Sequence, residues 1–239
     1  MSNQSNQSNQ ARIWAGIQAA WPICLGYFPI GAAFGVLAQK AGLSPLETGL
    51  MSVLVFAGSS QFIGVAMLAE GAGAAAIIAT TFIVNLRHML MSAALAVPLG
   101  RKSRRRLTLF AYGVTDESFA LNLPLFKQGQ WGLTEAIALN QTANATWIAS
   151  SFIGALGGEF IPPGAFGIDY ALAAMFICLL IFQLRGRIYL FTAVVAAVLA
   201  VGLSLIIPGN SYVIIASVAA AAIGAIAKNR NRKHSRHAY

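Results

Sequence analysis

Apolar runs follow one another along this chain at 13–38, 46–69, 74–98, 107–126, 136–158, 168–184, 188–207 and 210–227. A helix crosses the hydrocarbon layer with roughly 20 apolar residues, and several of these runs reach or exceed that length. Hydrophobic residues make up 57% of the chain and charged ones only 10%, too few to coat a soluble domain. In lipid every backbone polar group must be satisfied internally, which leaves helices for runs of this kind. The expectation is an all-α, polytopic helical membrane protein with about seven to eight hydrophobic segments. Its organisation reads as a disordered polar leader (1–11), one transmembrane domain (12–227) and a basic tail (228–239). No cleavable signal is evident, since the first apolar run continues as a span. Trp14 and Trp131 lie near segment ends, where an amphipathic ring suits the interface.

A formal charge of +9 would suggest nucleic acid in a soluble protein. Here the basic residues lie at segment ends, in Arg101–Arg106 (RKSRRR), at Arg185 and Arg187, and in the tail KNRNRKHSRHAY. That placement reads as topology signals and contacts to anionic lipids, with no nucleic-acid partner. Cys24 and Cys178 are isolated within apolar runs and lack metal or CxxC spacing, so packing is their expected role. Nothing in the sequence calls for a metal or a cofactor.

Some segments are not simple rods. The first holds Pro22, Pro29, Gly26, Gly31 and Gly35 (WPICLGYFPIGAAFG), which predicts a kinked or broken helix, or a proline-bent span. The second is interrupted by Ala57–Gln61 (AGSSQ). Gly42–Gly64 aligns without gaps to Gly132–Gly154, sharing the opening Gly-Leu, one Ser and the closing Phe-Ile-Gly. Three segments separate the copies, which would invert one relative to the other, as in transporter repeats. The candidate halves are 13–98 and 107–184, followed by a helical hairpin over 188–227. Eight full crossings with the N-terminus inside would leave RKSRRR outside, against the positive-inside rule. A re-entrant segment in each half would leave six crossings and put every basic cluster inside, with the second segment a candidate.

Polar groups within the runs are the functional signal. A charge near mid-bilayer costs roughly 2.5–3.5 kcal/mol on insertion scales, so Arg87 needs a protein or water partner. Thr81, Asn85, His88 and Ser92 form one helical stripe, with Thr80 and Arg87 beside it. In the fourth segment Thr108, Tyr112, Thr115 and Asn122 share a face, with Asp116 at its edge and Glu117 further round. Asp116 is the better interior candidate; Glu117 would pair with Arg87 or with the basic loop. Asn140, Asn144, Trp147 and Ser151 repeat the spacing in the fifth segment, with Gln141 and Thr142 adjacent. Gly58, Ser59, Ser60 and Gln61 would offer backbone amides at a helix break, able to hold a carboxylate. For each of these residues, helix–helix hydrogen bonding or close packing is the competing reading.

FAGSSQF (Phe56–Phe62), VNLRHML (Val84–Leu90) and YGVTDESFA (Tyr112–Ala120), with the entry FPIGAAFGVLAQKAGLSPLE (Phe28–Glu47), resemble the AzlC family of branched-chain amino acid permeases. The resemblance covers nearly the whole chain after the leader and is strongest from about 22 to 125. It implies the large subunit of an exporter in the cell inner membrane, acting with a small AzlD-type membrane subunit, and no enzyme. The substrates would be leucine, isoleucine and valine, with methionine a further candidate. On the family's motif positions, our physical reading places the substrate carboxylate at Arg87 or the Gly58–Ser60 break, and its ammonium at Asp116. Gln61, Asn85, Asn140 and Asn144 complete the expected substrate site, and Phe56, Phe62, Phe119 and Trp147 its apolar wall. His88, Asp116 and Glu117 are the candidate proton carriers. Two rivals stand beside this: a passive channel for a small polar solute, and an intramembrane hydrolase using Ser59 or Ser60 with His88.

Overall fold

The computed structural model describes residues 2–100, 102–162, 186–206 and 211–236, with isolated positions between 170 and 184. Side chains are described from Asn9 onward and not at Ser211, Val213, Ile214 or beyond Asn229. Arg101, Cys178, Arg185 and most of the sixth segment lie outside these residues. Among the described residues every regular element is helical: α1 (Ser2–Lys40), α2 (Pro45–Val55), α3 (Gly58–Ala69), α4 (Ala74–Leu99), α5 (Arg104–Tyr112), α6 (Asp116–Lys127), α7 (Leu133–Gly157), α8 (Arg187–Ser204) and α9 (Ser211–Arg236), with one 3₁₀ turn at Gly158–Phe160. By length and composition Asn9–Lys40, Ala74–Leu99 and Arg187–Ser204 are long and apolar enough to span a membrane. The chain divides into two units, Met1–Leu172 and Ala173–Tyr239.

In the first unit α1 runs unbroken through Pro22 and Pro29, so the proline-rich run bears no helix break. The polar leader, expected to be disordered, enters as the first turns of the same helix. α7 packs along α1 in the same direction: Gly16 faces Glu135, Gly31 faces Ser150 and Gly35 faces Ser151. At the N-terminal end of α7, Arg12 grips Glu135 through Nε (2.6 Å) and Nη2 (3.0 Å).

The second and fourth segments each fold back on themselves. α2 begins at a capping box, with Ser44 and Glu47 exchanging bonds and Pro45 in the first turn. It stops at Val55; Phe56 takes a left-handed conformation (φ 35°) and α3 starts at Gly58. Gln61 Nε2 donates to Ser52 Oγ at 3.0 Å, and Gly64 faces the end of the Met51 side chain. On a straight helix those pairs would be about 14 and 20 Å apart. The break therefore falls at Phe56–Ala57, and AGSSQ supplies the first turn after it. In the fourth segment α5 ends at Gly113 and α6 starts behind Thr115, whose hydroxyl and backbone pair reciprocally with Ser118. The rings of Phe110 and Phe126 sit 5.9 Å apart, where a continuous helix would separate them by about 24 Å.

The two hairpins enter from opposite ends of α7. Arg106 Nη2 meets Thr134 Oγ1 at 2.7 Å, and only a short turn joins α6 to α7, so both feet of the α5–α6 hairpin stand at the start of α7. Gly49 faces Phe152 and Gly58 faces Trp147, so α2 descends from the other end. Arg12, the start of α5 and Lys127 thus share one end of this unit, while Lys40 lies at the end of α1 beyond Gln39, which faces Gly158. Among these elements the broken α2–α3 is matched by the broken α5–α6, each flanked by long helices. Gly132–Gly154, the stretch aligned with Gly42–Gly64, lies almost wholly in the continuous α7. In the second unit α8 and α9 form an antiparallel pair, with Gly224 against Thr192 and Lys228 Nζ 3.3 Å from the Tyr189 hydroxyl.

Candidate functional site

The tips of the two hairpins meet beside α7. A helix that stops inside a membrane protein exposes carbonyls at one break end and N–H groups at the other, and each needs a partner. The carbonyl side is closed by side chains. Asn140 Nδ2 donates to the Phe110 carbonyl (3.0 Å) and Gln141 Nε2 to that of Leu109 (3.1 Å), capping the end of α5. The Tyr112 hydroxyl donates to the Val53 carbonyl at the end of α2. The two N–H sides differ. Thr115 caps α6, whereas Ala57 precedes α3 and offers no side-chain cap to its first turn.

Arg87 on α4 reaches both of these helix starts. Its Nη1 lies 2.7 Å from Asp116 Oδ2 in the first turn of α6, and its Nη2 donates to Ser59 Oγ in the first turn of α3. Its Nε is buried and has no hydrogen-bond acceptor among the described residues. Ser60 Oγ donates to Asn85 Oδ1 at 2.6 Å, adding a second tie between α3 and α4. The Arg87 and Asp116 side chains are 28% and 29% exposed, so the pair is neither sealed nor free in water. Glu117 takes a different partner: its Oε2 accepts from the hydroxyl of Tyr27 on α1 at 2.7 Å. His88 is half-buried on α4, close enough to feel the charges of Arg87 and Glu117.

The stripe drawn through Thr108, Tyr112, Thr115 and Asn122 does not exist as a face, because Gly113–Thr115 interrupts it. Asn122 is buried and donates to Asn140 Oδ1 at 3.0 Å. Asn140 is fully buried with both ends of its amide engaged, and Asn144 Nδ2 points at the Tyr112 hydroxyl (3.4 Å). Both hold the α5 break closed. Gln61 is likewise enclosed between Ser52 and Trp147, whose Nε1 donates to its Oε1 at 3.0 Å.

Phe56, Phe62 and Trp147 belong to one buried aromatic cluster that also takes in Tyr27 and Phe34. Phe119 stands apart from it, against Leu95, Phe110 and their neighbours. The sequence reading did not single out Tyr27 or Phe34 as site residues. Tyr27 is flanked by Pro22 and Pro29, which drew attention to the backbone there. The hydroxyls of Ser59 and Ser60 are engaged by Arg87 and Asn85, an arrangement that does not aim a serine nucleophile at His88. An open groove between α1 and α7, lined by Ile13, Ile17, Gln141, Thr142 and Thr146 among others, carries no charge to hold a zwitterion.

The family described as AzlC protein matches residues 22–161, a range that contains both hairpins and all of α7. The inner membrane protein YgaZ of Escherichia coli K12 is 30% identical over 202 residues, covering 81% of this chain and 82% of the relative. The branched-chain amino acid transport protein AzlC of Bacillus subtilis 168 is 26% identical over 223 residues, covering 90% and 86%. An uncharacterized membrane protein of Archaeoglobus fulgidus is 29% identical over 183 residues, covering 75% and 80%. No solved structure matches the chain.

Proposed function

The chain belongs to the AzlC family of multi-pass membrane proteins, and from that premise we propose that it is the large subunit of a permease exporting branched-chain amino acids. The observation that carries the reading is Arg87, shared between the starts of two half-helices that meet between the long ones. A leucine-like substrate brings a carboxylate, an ammonium and an apolar side chain. The uncapped first turn of α3 and the guanidinium of Arg87, with its unused Nε, suit the carboxylate. Asp116, released from Arg87 as the carboxylate arrives, suits the ammonium. Tyr27, Phe56 and Trp147 supply the apolar wall. Asn85 orients the α3 start through Ser60, while Asn140 and Asn144 hold the scaffold. Proton coupling would use Glu117, with His88 and Asp116 as further carriers, and a small AzlD-type subunit would complete the assembly.

The test is leucine flux in vesicles containing this protein with and without its small companion. Saturable export driven uphill by an imposed proton gradient is the expected result. Flux that only ever runs downhill would favour the passive channel.

With both hairpins re-entrant, Arg12, Arg104–Arg106 and Lys127 gather at one end of the first unit, and the positive-inside rule supports reading that end as cytoplasmic, facing anionic lipid headgroups. In a background lacking Cys24 and Cys178, Lys102→Cys should resist an impermeant maleimide in intact cells and react in inverted vesicles. Gly71→Cys, in the turn between α3 and α4, should behave in the opposite way. Labelling of Lys102→Cys from outside would reject this topology.

A further inference from the structure

We propose that Tyr27 is a positioning residue: it holds Glu117 as the group that takes up the proton and ties that event to the seam between the hairpin tips. The inference rests on the permease reading and deepens it. Tyr27 is buried, with 8% of its surface exposed. Its hydroxyl donates to Glu117 Oε2 at 2.7 Å and lies 2.8 Å from the hydroxyl of Thr115, which caps α6. Its ring meets Phe56, at the tip of the other hairpin, edge-on at 6.5 Å, and Trp147 of α7 at 5.4 Å. One side chain thus touches a carboxylate on the second hairpin, the bend of the first, and the helix both lean on.

The chemistry is a simple protonation. Ionised Glu117 accepts a charge-assisted hydrogen bond from the Tyr27 hydroxyl, which fixes the ring against Phe56 and Trp147. When the carboxylate takes a proton from water it becomes a neutral acid, and that bond loses its charge assistance. The constraint on the ring, and with it on Phe56, is then relaxed. The other titratable or charged groups facing Glu117 are Arg87 and His88 from α4 and Asp116 on its own helix. From α7 the one acid is Glu135, engaged by Arg12 at the far end. Asp116 already has Arg87, which leaves Glu117 as the acid whose partner is a neutral hydroxyl.

The experiment is leucine flux as a function of pH in phosphatidylethanolamine–phosphatidylglycerol vesicles, for the parent, Tyr27→Phe, Glu117→Gln and the double variant. Loss of the hydroxyl removes a donor from the ionised carboxylate, so Tyr27→Phe should move the Glu117-dependent limb of the profile about one unit to higher pH. Glu117→Gln should remove that limb, and adding Tyr27→Phe to it should change nothing further. Glu117→Asp, which draws the carboxylate back by one methylene, gives a second reading should Tyr27→Phe fail to accumulate, and should shift the limb the same way. A limb that stays in place in Tyr27→Phe or Glu117→Asp, or a parent whose flux ignores pH, overturns this inference and leaves leucine transport standing. With the small companion present in the vesicles, absence of leucine flux in the parent overturns the permease reading itself, and this inference with it.

Discussion

Arg87→Gln is expected to reduce leucine flux per molecule by roughly 100-fold or more. The guanidinium makes a close ion pair with Asp116 and a hydrogen bond to Ser59, and each charge-assisted bond of this kind is worth about 1.5–3 kcal/mol. Losing two bonds of that strength to the bound carboxylate is enough for that factor. Stability should fall too, because an unpaired Asp116 remains. The cost should lie below the roughly 3–5 kcal/mol of a fully buried pair, since more than a quarter of each side chain is exposed. Arg87→Lys keeps the charge but lacks the fork that spans Ser59 and Asp116 together, and about a tenfold loss is expected. The informative variant is Arg87→Gln with Asp116→Asn, which removes both charges and leaves neither one unpaired. It should restore the amount of folded protein in the membrane while leaving flux as low as in Arg87→Gln. A neutral pair that transports at the parent rate would reduce Arg87 and Asp116 to a structural tie.

Much of this layout could be read from the residues. The apolar runs fixed the class, and the cost of a charge at mid-bilayer singled out Arg87 before any partner was known. The break in the second segment announced itself through Gly58, Ser59 and Ser60, although the turn lies just before them at Phe56, a residue that seldom takes a left-handed conformation. The break in the fourth segment was missed. A face computed at 100° per residue presumes an unbroken helix, and that presumption hid Gly113 followed by Thr115, Asp116 and Glu117, a stop signal and then a capped acidic start. With the break overlooked, the amides of Asn140 and Asn144 looked free for substrate. The α5 carbonyls that occupy Asn140, and the Tyr112 hydroxyl that meets Asn144, are presented by that interrupted helix end. Which acid takes Arg87 and which takes Tyr27 depends on how α1 and α4 sit around α6, and that is tertiary information no local spacing carries.

Gly35→Leu and Gly154→Leu should each prevent the protein from accumulating in folded form. A Cβ at Gly35 would fall on the backbone of Ser151, Gly154 and Ala155; one at Gly154 would fall on the backbone of Ala32. The obstacle is main chain on both sides, so no side chain can swing away and the helices themselves must part. Ordinary overpacking costs about 1–3 kcal/mol, and separating two helix backbones along their shared register should exceed it. The loss would not stay local, because the α1–α7 register also sets where Tyr27 meets Trp147 and Glu117, and Arg12 meets Glu135. Gly26 is the control: a Cβ there meets nothing within 4 Å, and Gly26→Ala should accumulate normally with a small gain from helix propensity, below about 1 kcal/mol. Yield in the membrane and the melting midpoint in detergent measure all three variants. If Gly35→Leu melted with the parent, α1 and α7 could not be this close, and the placement of Tyr27 between the two hairpin tips would lose its support.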